Sequence, residues 1–290
     1  MKKFFQITLI SCFVITSEGF AEDICCDSLQ EGFFLGLGAS YNTVRIKQHY
    51  SASGIGEVFD ENDTLIASGE AGGPAAPSTE TLNTLAPVIQ AGYLNRMNGS
   101  NCFWGLKASY QYLGVTSINR LTDTPQSGFL DPENSSPLAF TGNVITKSAQ
   151  SEITHMINFL AFMGMSLCDF DFYVGVGPSV FKTKTNIYQA FGFANLSGLP
   201  RDATGTPVSF SASKWVWAGS LQLGLSYSLP SCWFVDFNYT ATLSGNYRHN
   251  FSAPFRADLV GEYSDIGILY VNTKTRIWTQ NLCLTINKYF

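Results

Sequence analysis

The chain has 290 residues, enough for one or two soluble domains or for a single barrel. Aromatic residues make up 14% of it and charged residues only 13%, against about 25% charged residues in an ordinary soluble domain. The formal net charge of −5 argues against a nucleic-acid partner.

The first segment has the features of a secretory signal. Two lysines open it, an apolar run follows over 4–15, and Gly19-Phe20-Ala21 forms a small-x-small cleavage site. We therefore predict a signal peptide over 1–21 and a short periplasmic segment over 22–31. The alternative is cleavage and lipidation at Cys12, because the residues before it match a lipoprotein box in type. The apolar run is too short to cross a bilayer as a helix.

Eight later stretches alternate apolar and polar side chains, as strands with two different faces do. These predicted strands are 32–44, 86–94, 103–113, 152–167, 172–181, 214–228, 233–244 and 275–290. Gly and Ser are frequent on the polar face, which suits the interior of a narrow barrel. In the last strand, Trp278, Leu282, Leu284 and Ile286 share the apolar face and the chain ends on Phe290.

The connections between these strands alternate in length. Short ones lie near 96–101, 168–171 and 230–231, and long ones lie over 51–84, 114–150, 183–209 and 248–273. Short periplasmic turns and long extracellular loops are typical of outer-membrane barrels. Trp217 and Tyr227 lie on one face, and at ~3.3 Å per residue and ~40° tilt they are about 25 Å apart along the barrel axis. That distance matches the spacing of two aromatic girdles.

The hairpin rhythm, the aromatic end and the repeated G-x-G pattern (Gly36-Leu37-Gly38, Gly175-Val176-Gly177) carry a resemblance to a known family. Residues 32–290 resemble the eight-stranded outer-membrane barrels of the OmpA transmembrane-domain and OmpX/Ail type. The resemblance implies an all-β, antiparallel up-and-down transmembrane β-barrel in a Gram-negative outer membrane, among outer-membrane lipid and lipopolysaccharide. It also implies that Phe290 is an assembly signal read by the barrel assembly machinery. A ten-stranded barrel is the alternative.

Polar residues on the inward face predict a network in the lumen. Lys107 and Asp236 lie at similar distances from the short turns of opposite strands, so we expect a link between them that closes the lumen. The residues expected to bridge or join this network are Gln222, Asn238 and Asn281. The alternative is two charges in separate hydrated pockets, because water lowers the cost of burying each charge.

Five cysteines are predicted on the periplasmic rim: Cys25, Cys26, Cys102, Cys168 and Cys232. The periplasm permits disulfides. Two turn cysteines are separated by two strands, roughly 10 Å or more, beyond the ~7 Å limit for a bridge. They are therefore either free or bridged to neighbouring envelope proteins. No C-x-x-C pair is present, and we expect no metal and no cofactor.

The long loops carry many aromatic residues: Tyr188, Phe191, Phe193, Phe251, Phe255 and Tyr263. They either pack on one another over the barrel mouth or bind a host surface or protein. The chain has three histidines, His49, His155 and His249, and no motif supplies an aligned nucleophile, so we do not expect an enzyme.

The predicted function is a structural or surface-interaction role, of adhesin or antigen type, through the long loops of a barrel whose lumen is largely closed. The alternative is a small porin-type channel for ions or small solutes. A weaker alternative is a lipid-modifying barrel enzyme.

Overall fold

The computed structural model describes residues 31–133, 135–196, 199–259 and 263–290, and the regular structure in these ranges is all β-strand. The predicted signal peptide, the alternative lipidation site at Cys12, and both Cys25 and Cys26 lie outside these residues. No helix in the described ranges is long and apolar enough to cross a membrane.

Eleven strands follow one another along the described chain. They are β1 (Gly32–Phe59), β2 (Leu65–Pro74), β3 (Ser78–Arg96), β4 (Cys102–Pro132), β5 (Leu138–Leu167), β6 (Phe170–Leu196), β7 (Leu199–Asp202), β8 (Val208–Leu229), β9 (Trp233–Ser244), β10 (Tyr247–Leu259) and β11 (Tyr263–Tyr289).

Eight of these strands form a closed antiparallel ring in the order β1, β3, β4, β5, β6, β8, β9 and β11. The ring closes where β11 pairs with β1, from Phe34 opposite Tyr289 to Phe59 opposite Ser264. Closure leaves no unpaired sheet edge in the ring. The predicted eight-stranded up-and-down barrel is therefore confirmed, and the ten-stranded alternative is wrong.

The long connections fold differently from the prediction. They do lie at one end of the barrel, opposite the short turns, but most of their residues form strand rather than loop. β1 pairs with β11 as far as Phe59, and β4 pairs with β5 as far as Leu130 opposite Leu138. We call this continued sheet the extension and define it as the described residues within 47–80, 117–151, 183–213 and 247–275.

Two strands of the ring are interrupted where they enter the extension. β2 and β3 both pair antiparallel with β1, so β3 continues the direction of β2 after a break at residues 75–77. Pro74 ends β2 and Pro77 is the last residue of the break, and proline cannot donate to a sheet hydrogen bond. In the same way β10 continues β9 along β11 after a break at residues 245–246.

The interior of the barrel is filled in layers along its axis. At the short-turn end an aromatic layer contains Phe34, Phe103, Phe162, Phe234 and Tyr289. A polar layer follows. Beyond it lies an apolar layer that includes the following side chains: Val44, Ile46, Met156, Phe181 and Ile277. Another apolar cluster fills part of the extension: Ile187, Phe251, Leu269 and Val271.

Candidate functional site

The outer wall of the ring is a belt of exposed apolar side chains next to the short-turn end. Its middle includes Leu37, Ile89, Leu106, Phe159, Leu223 and Leu284, all of them exposed. Aromatic side chains lie toward its two edges: Phe33, Trp104, Tyr227, Trp233 and Phe290 on the short-turn side, and Tyr112, Trp215, Trp217 and Trp278 on the other. A continuous apolar wall of this kind is stable against lipid and not against water.

Inside the belt, Lys107 and Asp236 meet in the polar layer. Lys107 Nζ lies 3.3 Å from Asp236 Oδ2, and both side chains are buried. Tyr173 joins them, because its hydroxyl accepts a hydrogen bond from Lys107 at 2.8 Å and donates one to Asp236 Oδ1 at 2.7 Å. The three strands β4, β6 and β9 are thereby connected across the lumen.

Asp236 also receives hydrogen bonds from neutral side chains around it. Asn238 Nδ2 donates at 2.9 Å, Ser226 Oγ at 3.3 Å and Gln90 Nε2 at 3.3 Å. Gln222 Nε2 reaches Asn238 Oδ1 at 2.9 Å. A buried carboxylate that accepts this many hydrogen bonds retains its charge at a much lower cost than an unpartnered one.

Asn281 lies in a second group of the same layer. Its Nδ2 donates to Asn42 Oδ1 at 2.8 Å and to Gln111 Oε1 at 2.7 Å. The structure therefore brings Lys107, Asp236, Asn238 and Gln222 into one hydrogen-bonded group, while Asn281 is hydrogen-bonded to different partners.

Three side chains that bond directly to Asp236 were not predicted from the sequence: Tyr173, Gln90 and Ser226. All three lie on inward-facing positions of predicted strands, so strand alternation alone contained the signal. Tyr173 lies between the inward-facing Asp171 and Gly175 on β6. The structure shows why Gly224 lies opposite it, since a Cβ at Gly224 would lie 2.0 Å from the Tyr173 ring.

The described cysteines are all free thiols. Cys102, Cys168 and Cys232 lie at the short-turn end, and Cys283 is buried in the wall of the lumen. The short turns that hold Cys168 and Cys232 have positive φ angles at these residues, 55° and 67°. The structure thus places three of the predicted rim cysteines at the short-turn end.

The predicted loop aromatics lie on strands of the extension and not in loops. Phe251 is buried, and its ring centroid lies 5.4 Å from that of Phe210. The ring centroids of Phe191 and Phe193 are 5.2 Å apart, and the two rings form a T-shaped pair. Phe255 packs against the buried cluster of the extension. Tyr188 and Tyr263 are exposed.

The three histidines lie in separate environments. His155 stacks on Tyr110, and its Nδ1 lies 2.8 Å from the Tyr110 hydroxyl on the outer wall. His49 points outward from β1, and His249 is buried in the extension between Tyr247 and Phe251.

A group of outward-facing bases lies directly beyond the belt on neighbouring strands. We call it the basic stripe: Arg45 and Lys47 on β1, Lys274 and Arg276 on β11, and Arg248 on β10. Lys47 pairs across the strands with Arg276, Arg248 pairs with Lys274, and Arg45 lies opposite Trp278. Within the described residues none of the five forms an ion pair with a carboxylate. Like charges directly opposite one another repel, so this surface is suited to an anion.

The closed ring, the apolar belt and the filled polar lumen define the class of this protein as an eight-stranded transmembrane β-barrel. No family model and no curated protein matches the chain.

Among solved structures the chain is similar to Neisserial surface protein A, at 9% identity, covering 84% of this chain and 97% of that one with a TM-score of 0.30. It is also similar to Ail, the attachment invasion locus protein of Yersinia pestis, at 13% identity over 82% and 98% of the two chains, with a TM-score of 0.22. A third similarity is to the outer membrane protease OmpT from Escherichia coli, at 9% identity over 89% and 97%, with a TM-score of 0.28. At these values the class rests on the strand pairing and the belt.

Proposed function

We propose that this protein is an integral surface protein of a Gram-negative outer membrane, with a structural or surface-interaction role. The short turns face the periplasm and the extension projects from the cell. The observation that carries the proposal is the extension itself. β1 continues from Tyr41 at the edge of the belt to Phe59, which at ~3.3 Å per residue and ~40° tilt is a rise of roughly 45 Å.

A closed lumen supports this role over a channel. The aromatic layer, the polar layer and the apolar layer follow one another inside the belt, and each is made of buried side chains. An eight-stranded ring is only wide enough for its own side chains. The interaction surface is therefore the outside of the extension and its tip.

The basic stripe supports lipopolysaccharide as the surrounding lipid on this side. The stripe begins at the aromatic edge of the belt, where Arg45 lies opposite Trp278, at the level where phosphate groups follow hydrocarbon. Arg and Lys bind phosphate through charge-assisted hydrogen bonds.

Orientation is tested by inserting the same epitope at two turns, one at Asn62 near the tip of the extension and one at Gly99 in a short turn. Both turns are exposed, so the two insertions are matched. We expect antibody to label intact cells only for the Asn62 insertion, and to label the Gly99 insertion only after the outer membrane is permeabilised. The reverse pattern would contradict the proposal.

The closed lumen is tested by planar-bilayer recording of the refolded protein. We expect folded, heat-modifiable protein that produces no conductance steps. Reproducible steps from the same folded sample would instead support the porin alternative.

A further inference from the structure

The extension contains an interior cavity of about 340 Å³ that the surface role does not use. It lies between the walls formed by β1, β2, β4, β5, β6, β7, β10 and β11, further from the belt than the lumen network. Its volume lies in the range of small-molecule sites, ~300–1,000 Å³. Most of its lining is apolar, with Val144, Phe255 and Leu269 among the larger side chains.

Small residues create this space. Gly54, Gly56, Ala67, Gly69 and Ala71 line it on β1 and β2. The ring of Phe255 fits beside Gly56, since a Cβ built there would lie 3.4 Å from Phe255 Cζ. Nearer the belt, large apolar side chains fill the interior. The cavity begins further along the axis, where glycine and alanine line the walls.

One residue that lines the cavity carries an unused hydrogen-bond acceptor. Gln126 is only 7% exposed, and its Nε2 donates to the carbonyl oxygens of Thr124 and Pro125. These two bonds fix the orientation of the amide, so Oε1 is the atom left over. Gln126 Oε1 is buried and has no hydrogen-bond partner among the described residues. A buried acceptor of this kind is costly unless a ligand or water supplies a donor.

A carboxylate in the wall is also without a partner. Asp265 Oδ1 is buried with no hydrogen-bond partner in the described part of the chain, and it lies against Gly56. Burial raises the pKa of Asp265 from 3.8 to about 6. At neutral pH its charge is therefore retained without a counter-ion among the described residues.

The charges around the cavity favour a cation. Glu70, Asp202 and Asp265 line it, against one base, Arg201. Asp202 Oδ1 already accepts the backbone N–H groups of Thr204 and Gly205. Among these three acids, Asp265 is the one with a buried carboxylate oxygen that has no hydrogen-bond partner among the described residues.

We infer that this cavity binds a small amphipathic molecule with an apolar body, a protonated amine that pairs with Asp265, and a second N–H or O–H group that donates to Gln126. The apolar body fills the space left by the glycines and contacts Phe255 and Leu269. This binding activity goes beyond the proposed surface role and does not depend on which side of the membrane the extension occupies.

The test is calorimetric titration of the protein in lipid nanodiscs at pH 8, with empty nanodiscs as the blank for partitioning into lipid. Three probes share one indole body: tryptamine carries an amine, tryptophol a hydroxyl and indole-3-propionate a carboxylate. We expect saturable binding of tryptamine at least 10-fold tighter than that of indole-3-propionate, with tryptophol between them. No saturable binding of any probe, or equal binding of all three, would overturn the inference.

Variants separate the two wall groups. Asp265→Asn is expected to abolish the preference for tryptamine over tryptophol, and Gln126→Leu to weaken all three probes by a similar factor. The matched control is Asp258→Asn, an exposed acid of the extension outside the cavity, which should change neither. Heat-modifiability shows that each variant is folded. A folded Asp265→Asn protein that keeps the full preference would contradict the assigned role of Asp265.

Discussion

Asp236 carries the only negative charge that forms an ion pair with Lys107 among the described side chains. Asp236→Ala leaves Lys107 buried without its counter-ion, and we expect a loss of ~3–5 kcal/mol in the free energy of unfolding. The measurement is urea unfolding in lipid vesicles. Thr240→Ala, which removes one neutral partner of Gln222, is the matched lumen control and should cost only about 1 kcal/mol.

The double variant Lys107→Met/Asp236→Ala should recover much of that loss, because it removes both charges from the interior. A loss for Asp236→Ala no larger than that of Thr240→Ala would show that Lys107 is solvated independently.

Strand alternation in the sequence predicted that Lys107 and Asp236 both lie on the inward face. It did not identify the Tyr173 hydroxyl as the connecting group, because the length and tilt of a side chain inside a narrow ring depend on its neighbours across the barrel.

Asp265 gives the stability of the extension a pH dependence. Its pKa is raised by burial to about 6, so the folded state holds this proton more tightly than the unfolded chain does. Its contribution is therefore most favourable below the unfolded pKa of about 3.9, and it is lost as the pH rises toward 6. We expect Asp265→Asn to remove this part of the pH dependence and to stabilise the protein at pH 8 by on the order of 1 kcal/mol, after its partial exposure is allowed for.

Denaturant midpoints of the wild type and Asp265→Asn at pH 4, 5, 6 and 8 measure this effect. The two proteins should converge at pH 4 and separate as the pH rises. Parallel curves across the whole range would contradict the raised pKa.

At the scale of the strands, β8 offers a matched pair of glycines. Gly224 lies directly opposite Tyr173 on the neighbouring strand β6, and the Tyr173 ring leaves no space for a Cβ there, whereas Gly219 has nothing within 4 Å of an added Cβ. Gly224→Ala should displace Tyr173 from the Lys107–Asp236 pair and cost ~1–3 kcal/mol. Gly219→Ala should leave the unfolding midpoint nearly unchanged. Equal effects of the two substitutions would show that loss of strand glycine, and not the Tyr173 contact, sets the cost.

The bases of the basic stripe lie on the neighbouring strands β1, β11 and β10, and they repel one another. In vesicles without lipopolysaccharide, Lys47→Gln/Arg276→Gln should be more stable than the wild type by ~0.2–1 kcal/mol, because two like charges no longer face each other. When lipopolysaccharide is added, the wild type should gain more stability than this variant. Arg120→Gln/Lys147→Gln, two exposed bases elsewhere on the extension, is the control.

If the stripe variant gains as much stability from lipopolysaccharide as the wild type does, these bases are not the residues that contact its phosphate groups.

The strands inside the belt were predictable because lipid on one side and a polar interior on the other enforce strict alternation. The extension was not, because segments such as β2 face water outside and a cavity of glycine and alanine inside, which weakens the alternation on which the prediction depended.

At the scale of the whole molecule, a substitution of Phe290 allows folding of the barrel to be measured separately from its assembly into the outer membrane of the cell. Phe290 is 76% exposed, and its backbone N–H donates to Phe33 O at 2.9 Å. Phe290→Ser keeps that backbone bond, so refolding in vesicles should be nearly unchanged. In cells we expect several-fold less folded protein in the outer membrane, because the terminal aromatic residue is the expected assembly signal. The measurement compares heat-modifiable protein in outer-membrane fractions with the yield of refolding in vesicles.

Equal yields of the variant and the wild type in cells would contradict that role for Phe290. Equal losses in both settings would instead assign the ring a part in the stability of the barrel.

The pairing of β1 with β11 has a consequence for the order of events during folding. The first and last strands of the described chain share one continuous register, so the ring cannot close until nearly every residue has been made. Contacts of such high sequence separation carry a large loop-closure entropy and slow the folding rate. Hairpins of consecutive strands, such as β4 with β5, form from contacts that are local in sequence. We therefore expect an open, curved sheet to precede the cylinder, with its two unpaired edges as the longest-lived exposed surface of the intermediate.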